Sequence, residues 1–483
     1  MDFAALVART NGDLIQGSPK CDVVGIALDS RKIEPGYIYA ALPGHHTHGM
    51  HYVNQALESG ASALITDRAG LAMLPNGVSA PQAVYEDPRE AVALLAAHLA
   101  DHPAEKLSVI GITGTNGKTS VSWMVFAGLI AAGRLAGLIG TLGVRIGKSV
   151  ISNPRTTPEA PDLNRTFAQM VEQGSTAVVM EVSSIAVTER RVHGIHFDTV
   201  VFTNLSHDHL DYHGDMESYF AAKASLFDPR VSERGIVVTD DSWGKRLADH
   251  SAIPVIRVSF ADPDAQWHRE VEAGTAWVKG PGVRTPIPAF MPDFSVVNYM
   301  CALAVLQLQG IDVETIAAEV AAVSVPGRLQ RVPNARGLNI VIDYAHTPEA
   351  VARVLRDLDS LTSGRLITVL GAGGERDSAK RVPMGRTAAS LSSVVIVTDD
   401  NPRSEDPSSI RESILQGARS VTGVEVQEVA DRASAIRSAL QQAVPGDTVA
   451  ILGKGAEEYQ EINSTLVHFS DEESVHAALA DLT

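Results

Sequence analysis

The run Thr113-Gly114-Thr115-Asn116-Gly117-Lys118-Thr119-Ser120 constrains this chain more tightly than any other part of it. It follows Leu107-Ser108-Val109-Ile110-Gly111-Ile112, which reads as a buried parallel strand, and it precedes an apolar helix starting near Lys118. Strand, glycine turn and helix in that order make the first step of an α/β domain. Glycines let backbone N–H groups wrap a phosphate, and the helix start adds its positive dipole end. Lys118 would then reach the β and γ oxygens of a triphosphate, and the Thr119 hydroxyl would meet Mg²⁺. The common pattern G-x-x-x-x-G-K-[ST] has glycine where this chain has Ile112, so the strict form is missed by one residue. An incidental lysine in a glycine-rich turn is the bland alternative; the flanking strand and helix favour ATP.

Length sets the scale around that loop. With 483 residues the chain is long enough for three domains. Forty basic against 57 acidic side chains leave a net charge of −17. That excess repels nucleic acid and anionic membranes while still allowing a local basic pocket for a phosphorylated small molecule. Two cysteines, Cys21 and Cys301, cannot build a disulfide framework and suit a reducing compartment. The start, Met1-Asp2-Phe3-Ala4-Ala5-Leu6, lacks the features of a signal peptide. The apolar stretch 121–140 is broken by Arg134 and several glycines, so it reads as buried helix plus strand and not as a membrane span. A soluble, cytoplasmic protein, acting as a monomer, is the expectation.

Three α/β domains are read along the chain. Residues 1–103 hold short strand-like pieces at 23–27 and 61–66 and end in an alanine-rich helix over 90–100, broken by His102-Pro103. Residues 104–330 carry the phosphate loop and further strands at 177–180 and 199–202. Pro326-Gly327 precedes residues 331–483, where strands at 340–342, 366–370, 394–397 and 449–452 alternate with helices. That spacing predicts a separate, doubly wound, Rossmann-like domain.

Acidic and imidazole groups cluster after two of these strands. Glu181 follows the strand at 177–180, which puts it at the carboxyl end of the sheet, where ligands bind in such folds. It reads as an oxygen ligand for a hard cation beside the phosphates, or as a partner for some lysine. The loop Asn204-Leu205-Ser206-His207-Asp208-His209-Leu210-Asp211-Tyr212-His213 reads either as metal chemistry or as a polar loop of satisfied histidines; its spacing is not that of a zinc site.

Taken in order, four strings resemble the Mur ligase family of ATP-dependent amide-bond formers in peptidoglycan synthesis. They are Gly114 to Ser120, Glu181-Val182-Ser183-Ser184, Asn204 with Asp208-His209-Leu210-Asp211, and Asp343-Tyr344-Ala345-His346-Thr347-Pro348. The family's phosphate loop also lacks the first glycine of the common pattern. The resemblance implies an N-terminal UDP-binding domain, a central ATPase domain and a C-terminal Rossmann-like domain. It makes Glu181 and His209 ligands of Mg²⁺ together with Thr119, and Lys118, His209 and Lys223 the catalytic set. Lys223 matches the family's carbamylated lysine, in which CO₂ on a neutral amine gives an anion able to hold a second Mg²⁺. Read from the sequence alone, a helical lysine is a solvated side chain. Asn298, Arg328, Asp343 and His346 match positions that contact nucleotide or bridge the central and C-terminal domains.

Within the family, Asp29-Ser30-Arg31, Gly60-Ala61 and Thr156-Thr157-Pro158-Glu159 are similar to the group that adds a diamino acid to UDP-N-acetylmuramoyl-L-alanyl-D-glutamate. The resemblance gives Ser30 to the uridine part, and Thr156, Thr157, Ser183 and Arg191 to the muramoyl dipeptide. In that group Asp400-Asn401-Pro402-Arg403 marks members that add meso-diaminopimelate, and Arg376, Gly453 and Glu457 complete the matched set. The chemistry agrees: a guanidinium clamps the far carboxylate of diaminopimelate and Glu457 suits its ammonium, whereas lysine would leave Arg403 unpaired. Ile185, His207, Ser378-Ala379, Ala456 and His48 depart from the family's usual residues. A lysine-adding relative, folylpolyglutamate synthase, the D-alanyl-D-alanine-adding ligase and a nucleotide-binding regulatory protein are the rival readings.

Overall fold

The central apolar runs become strands buried on both faces, and they gather into sheets whose middles are parallel. The computed structural model describes residues 1–16, 21–44, 47–147, 149–151, 153, 155–288 and 291–482. Among these residues the chain forms sheets of five, eleven and six strands, and a separate two-stranded hairpin. The first sheet joins Gly25–Ala27, Tyr37–Ala41, Ala63–Thr66 and Gln82–Val84 in parallel, with Asp13–Gln16 antiparallel at one edge.

The second sheet positions the phosphate loop. At its centre Ser108–Thr113 pairs in parallel with Phe197–Phe202 on one side and Ala177–Glu181 on the other. The chain therefore leaves the central strand towards both sides, which opens a crevice at the carboxyl ends. Register sets Glu181 beside Ile112 and Phe202 beside Thr113, so three strands deliver residues 113–120, 181–184 and 203–209 to one edge. Antiparallel strands extend both flanks of this sheet. Helix Lys118–Ala131 covers it through Val121, Met124, Val125 and Leu129, all buried. Each such side chain contributes about 1.5–3 kcal/mol. A Cβ at Gly128 would strike Leu306, so the glycine is what lets helix Asp293–Leu308 approach.

The third sheet runs Gln330–Val332, Asn339–Asp343, Thr448–Leu452, Leu366–Leu370, Val394–Val397 and Glu425–Glu428, parallel except at its first strand. Residues 1–287 with 296–321 form one compact unit, and residues 288–295 with 322–483 another. The first two sheets belong to the first unit and the third to the second. No helix among the described residues is long and apolar enough to cross a membrane.

Candidate functional site

The phosphate loop is bent by two glycines that cannot be replaced in place. Gly114 has φ +140° and Gly117 φ +90°. A Cβ on Gly114 would collide with the Thr203 hydroxyl, and one on Gly117 would lie 2.6 Å from Asn298 Oδ1. Asn298 thus lies against the loop. Helix Lys118–Ala131 begins at Lys118, leaving its first N–H groups for an anion. The Lys118 ammonium donates to the carbonyls of Gly114 and Thr115, both at 2.9 Å. A second strand end backs the turn: Asn116 N–H donates to Asn204 Oδ1 at 3.0 Å, and the Thr203 hydroxyl donates to the Asn116 carbonyl at 2.6 Å. Thr119 is buried, and its hydroxyl donates to Glu181 Oε2 at 3.1 Å.

Glu181 is only 1% exposed, and Thr141 satisfies it further through its N–H at 2.9 Å and its hydroxyl at 3.1 Å. A buried carboxylate touching a threonine hydroxyl beside a phosphate loop is the hard-oxygen donor set that Mg²⁺ takes. Lys223 departs from the solvated-lysine reading. It is 1% exposed, donates to the Gly114 carbonyl at 3.0 Å, and lies 4.6 Å from the Tyr219 ring centre. Burial first, and Lys118 second, hold its amine well below the ordinary lysine value, with Asp208 opposing. A neutral amine is the form that adds CO₂. His209 precedes the short helix Leu210–His213 with φ +53°, and its ring faces Asp208 at 3.4 Å. Among the described residues no three His, Cys, Asp or Glu side chains converge on a metal position.

Next to Glu181 the expected dipeptide residues form one patch. The Thr157 hydroxyl donates to the Glu181 carbonyl at 2.9 Å and accepts from Ser183 N–H at 3.1 Å. Thr156 shares a hydroxyl contact with Thr141 at 3.1 Å. Ser183 caps helix Ser184–Thr188, and half-buried Arg191 pairs with Glu159 at 3.0 Å while donating to the Thr157 carbonyl. Ser30 stands apart, buried in the first sheet's layer with its hydroxyl on Gln55 at 2.9 Å. His48, at a position where the resemblance gives aspartate, does an aspartate's work: its Nδ1 accepts Met50 N–H at 3.0 Å.

In the second unit three segments meet at the carboxyl ends of adjacent strands: 371–376, 398–405 and 453–457. Asp400 and Asn401 are buried. A Cβ at Gly453, φ +116°, would lie 2.8 Å from Asp400 Oδ2. Lys454, fully buried, donates to Asn401 Oδ1 at 3.0 Å and Glu457 Oε2 at 3.2 Å, and Asn401 also donates to Glu457 at 2.8 Å. Arg381 forks onto Glu405 at 2.6 and 2.7 Å and so ties 373–375 to 402–405. Arg403, in the left-handed region at φ +55°, directs Nε to Glu461 at 2.9 Å. Arg376 is exposed on the same rim. Elsewhere in this unit Asp343 is buried and accepts Leu329 N–H at 2.7 Å and Ala345 N–H at 2.8 Å. Burial pushes its carboxyl up, against the pull of Arg328. Arg328 and His346 both pack on Tyr344, at 4.5 and 4.7 Å.

The profile of the Mur ligase middle domain matches residues 112–306. Two further profiles, Mur ligase family catalytic domain and Mur ligase glutamate ligase domain, match 22–108 and 327–455. The chain is 45% identical to the UDP-N-acetylmuramoyl-L-alanyl-D-glutamate–2,6-diaminopimelate ligase of Streptomyces coelicolor, over 95% of this chain and 92% of that one. The chain belongs to the Mur ligase family. A solved structure of an enzyme of the same name superposes with a TM-score of 0.71 at 30% identity, covering 100% of this chain and 99% of that one. Folylpolyglutamate synthase of Mycobacterium tuberculosis, solved with ADP and AMPPCP, shares the fold, with a TM-score of 0.60 at 21% identity over 76% of this chain and 92% of its own.

Several groups at this Mur ligase site had no signal of their own in the sequence. Tyr219 bonds Thr115 through its hydroxyl at 3.1 Å and carries Lys223 on its ring. Thr141 closes over Glu181 from a strand end with no motif around it. Lys454 is visible as part of Gly453-Lys454-Gly455, but its burial is not. Glu461 lies outside every string that carried the resemblance, and it removes one step of the argument against lysine, since Arg403 is already paired before any substrate arrives.

Proposed function

We propose that this Mur ligase joins meso-2,6-diaminopimelate to the D-glutamate γ-carboxylate of UDP-N-acetylmuramoyl-L-Ala-D-Glu, with ATP converted to ADP and phosphate. The observation that carries this reading is the Arg403 guanidinium, set in Asp400-Asn401-Pro402-Arg403 and bonded to a carboxylate with Glu457 in the adjoining network. It offers one group for each charge at the far end of diaminopimelate.

A carboxylate carbon is too poor an electrophile to take an amine directly. Its oxygen therefore attacks the γ-phosphorus of ATP, the bond to ADP breaks, and an acyl phosphate forms. Lys118 and the N–H groups of 114–119 hold the phosphate charge during that transfer. The amine of diaminopimelate then forms the C–N bond, loses a proton and expels phosphate. Thr119 and Glu181 would hold Mg²⁺, with His209 joining once it leaves Asp208; the ion supplies neutralisation of phosphate charge. Lys223, carbamylated, would hold a second ion. Asn298, Arg328, Asp343 and His346 are assigned to the nucleotide. Thr156, Thr157, Ser183 and Arg191 are assigned to the dipeptide, and Ser30 to the uridine part. Arg376, Asp400, Asn401, Gly453 and Glu457 are assigned with Arg403 to the diamino acid. The domain limits 103/104 and 330/331 belong to the same reading, as does a cytoplasmic monomer.

The test is phosphate release with ATP-Mg²⁺ and the UDP-sugar dipeptide across a panel of diamino acids. Release with meso-diaminopimelate, and little with lysine, is the expected result. Equal release with lysine would move the chain to the lysine-adding group, and release without any amino acid would favour a nucleotide-cycling protein. Carbamylation of Lys223 is read separately, by the carbon signal after ¹³C-bicarbonate labelling.

A further inference from the structure

Arg403 is already occupied. Its Nε donates to Glu461 Oε2 at 2.9 Å, and Nη1 donates to the Gly374 carbonyl at 2.6 Å. A carboxylate takes a guanidinium in a fork, through Nε with one Nη or through the two Nη. Glu461 stands on the first edge. The Gly374 carbonyl holds one of the two nitrogens of the second. An incoming carboxylate can therefore complete a fork on Nε only by displacing Glu461.

The neighbouring carboxylates are committed elsewhere. Glu457 accepts from Asn401 and Lys454, and Glu405 accepts both Nη groups of Arg381. Backbone bonds keep the segment bearing Glu461 in place, because Arg403 N–H donates to the Glu461 carbonyl at 2.9 Å and Asn463 N–H to the Arg403 carbonyl at 2.8 Å. What can move is the Glu461 side chain, which is 31% exposed against 20% for Arg403. Water is available to receive it.

Resting on the reading that Arg403 takes the far carboxylate of the diamino acid, we propose that Glu461 is a specificity-determining residue that holds Arg403 until that carboxylate replaces it. Two consequences follow, with opposite signs for two substrates. Diaminopimelate that forks onto the Nε edge breaks the Arg403–Glu461 pair, which weakens its binding. Lysine has no far carboxylate and leaves the pair intact, so it escapes most of the penalty of stranding a guanidinium. Removing the charge of Glu461 improves diaminopimelate and worsens lysine. General loosening of the loop would weaken both.

The experiment is steady-state kinetics of the full chain with ATP-Mg²⁺ and UDP-N-acetylmuramoyl-L-Ala-D-Glu, comparing wild type, Glu461→Gln, Glu461→Ala, Arg403→Ala and the Glu461→Gln/Arg403→Ala double variant. Glu461→Gln should lower the KM for diaminopimelate about three- to fivefold, the range of a half-exposed ion pair. It should lower kcat/KM for lysine by a similar factor and leave the KM for ATP alone. In the Arg403→Ala background the Glu461 effect should vanish. Glu461→Ala, checked by its melting temperature, must shift both substrates in the same directions as Glu461→Gln. Unchanged constants in both Glu461 variants, with Arg403→Ala still raising the KM for diaminopimelate, would overturn the inference and leave the site reading standing. A higher KM for diaminopimelate in Glu461→Gln would overturn it too, by making Glu461 a partner of the substrate's ammonium. If Arg403→Ala has no effect on diaminopimelate, the reading beneath it fails.

Discussion

The phosphate loop and the Arg403 rim solve opposite problems with the same kind of sheet edge. At the loop, shape comes from backbone: two glycines in the left-handed region, a helix start, and carbonyls that accept Lys118 and Lys223. The glycines and the helix start are contiguous in sequence, and side chains from neighbouring strand ends, Thr203 and Asn204, bond to the loop's backbone. At the rim, shape comes from polar groups paired across the chain: Arg381 with Glu405, Lys454 with Asn401, Arg403 with Glu461. A scaffold built on backbone serves a ligand common to the whole family. One built on side-chain pairs can be retuned by a single substitution, which suits the selecting role proposed for the rim.

The largest effect should come from the loop. Lys118→Ala is expected to slow phosphate release about 10³-fold with every amino acid alike, while the melting temperature moves by no more than about 2 °C. A loss seen with diaminopimelate but not with other substrates would break the contrast, because it would give the loop a role in selection. At the rim, Arg403→Ala should raise the KM for diaminopimelate about 10- to 100-fold, the range for a charged hydrogen bond lost, and leave the KM for ATP within about twofold. An equal rise for ATP would show that the rim also shapes the nucleotide site.

The smallest expected effect tests whether the second unit tolerates unpaired charge away from its site. Asp357 has a buried Oδ2 with no hydrogen-bond partner, and burial, then Asp293, pushes its carboxyl up to about 6, with Arg353 and Arg356 opposing. A raised folded-state value means that the ionised form costs stability above pH 6, and that the cost disappears below the unfolded value near 4. Because the residue is only partly buried, Asp357→Asn should stabilise the protein by about 1 kcal/mol at pH 8. The gain should fade as pH falls through 6. Chemical denaturation at pH 8 and pH 4 measures it, and an equal gain at both would refute the assignment.

Legibility followed the same division. The strands at 177–180, 199–202, 366–370 and 394–397 were readable because burial on both faces leaves an unbroken apolar run, and all four are strands of the two larger parallel sheets. The helix start at Lys118 was readable because a glycine turn and a following apolar helix are local features. Lys223 was not. Its helix looks like any other with a lysine on it, and only the packing of Tyr219 and the Gly114 carbonyl against it makes the amine buried and reluctant to charge. His209 carried a metal-like neighbourhood in sequence, but that its backbone is left-handed and its ring lies 3.4 Å from Asp208 is visible only in the fold.

By itself the sequence determined the α/β sheets, the phosphate loop and the family, since each rests on residues within one strand, turn or helix, where chemistry and spacing act over a few bonds. Tertiary structure alone decided which distant polar groups meet: Thr119 with Glu181, Lys454 with Asn401, Arg403 with Glu461. Coulombic and hydrogen-bond energies depend on distances of a few ångströms and on burial, and a chain folded into separate sheets sets both between residues that no local pattern connects.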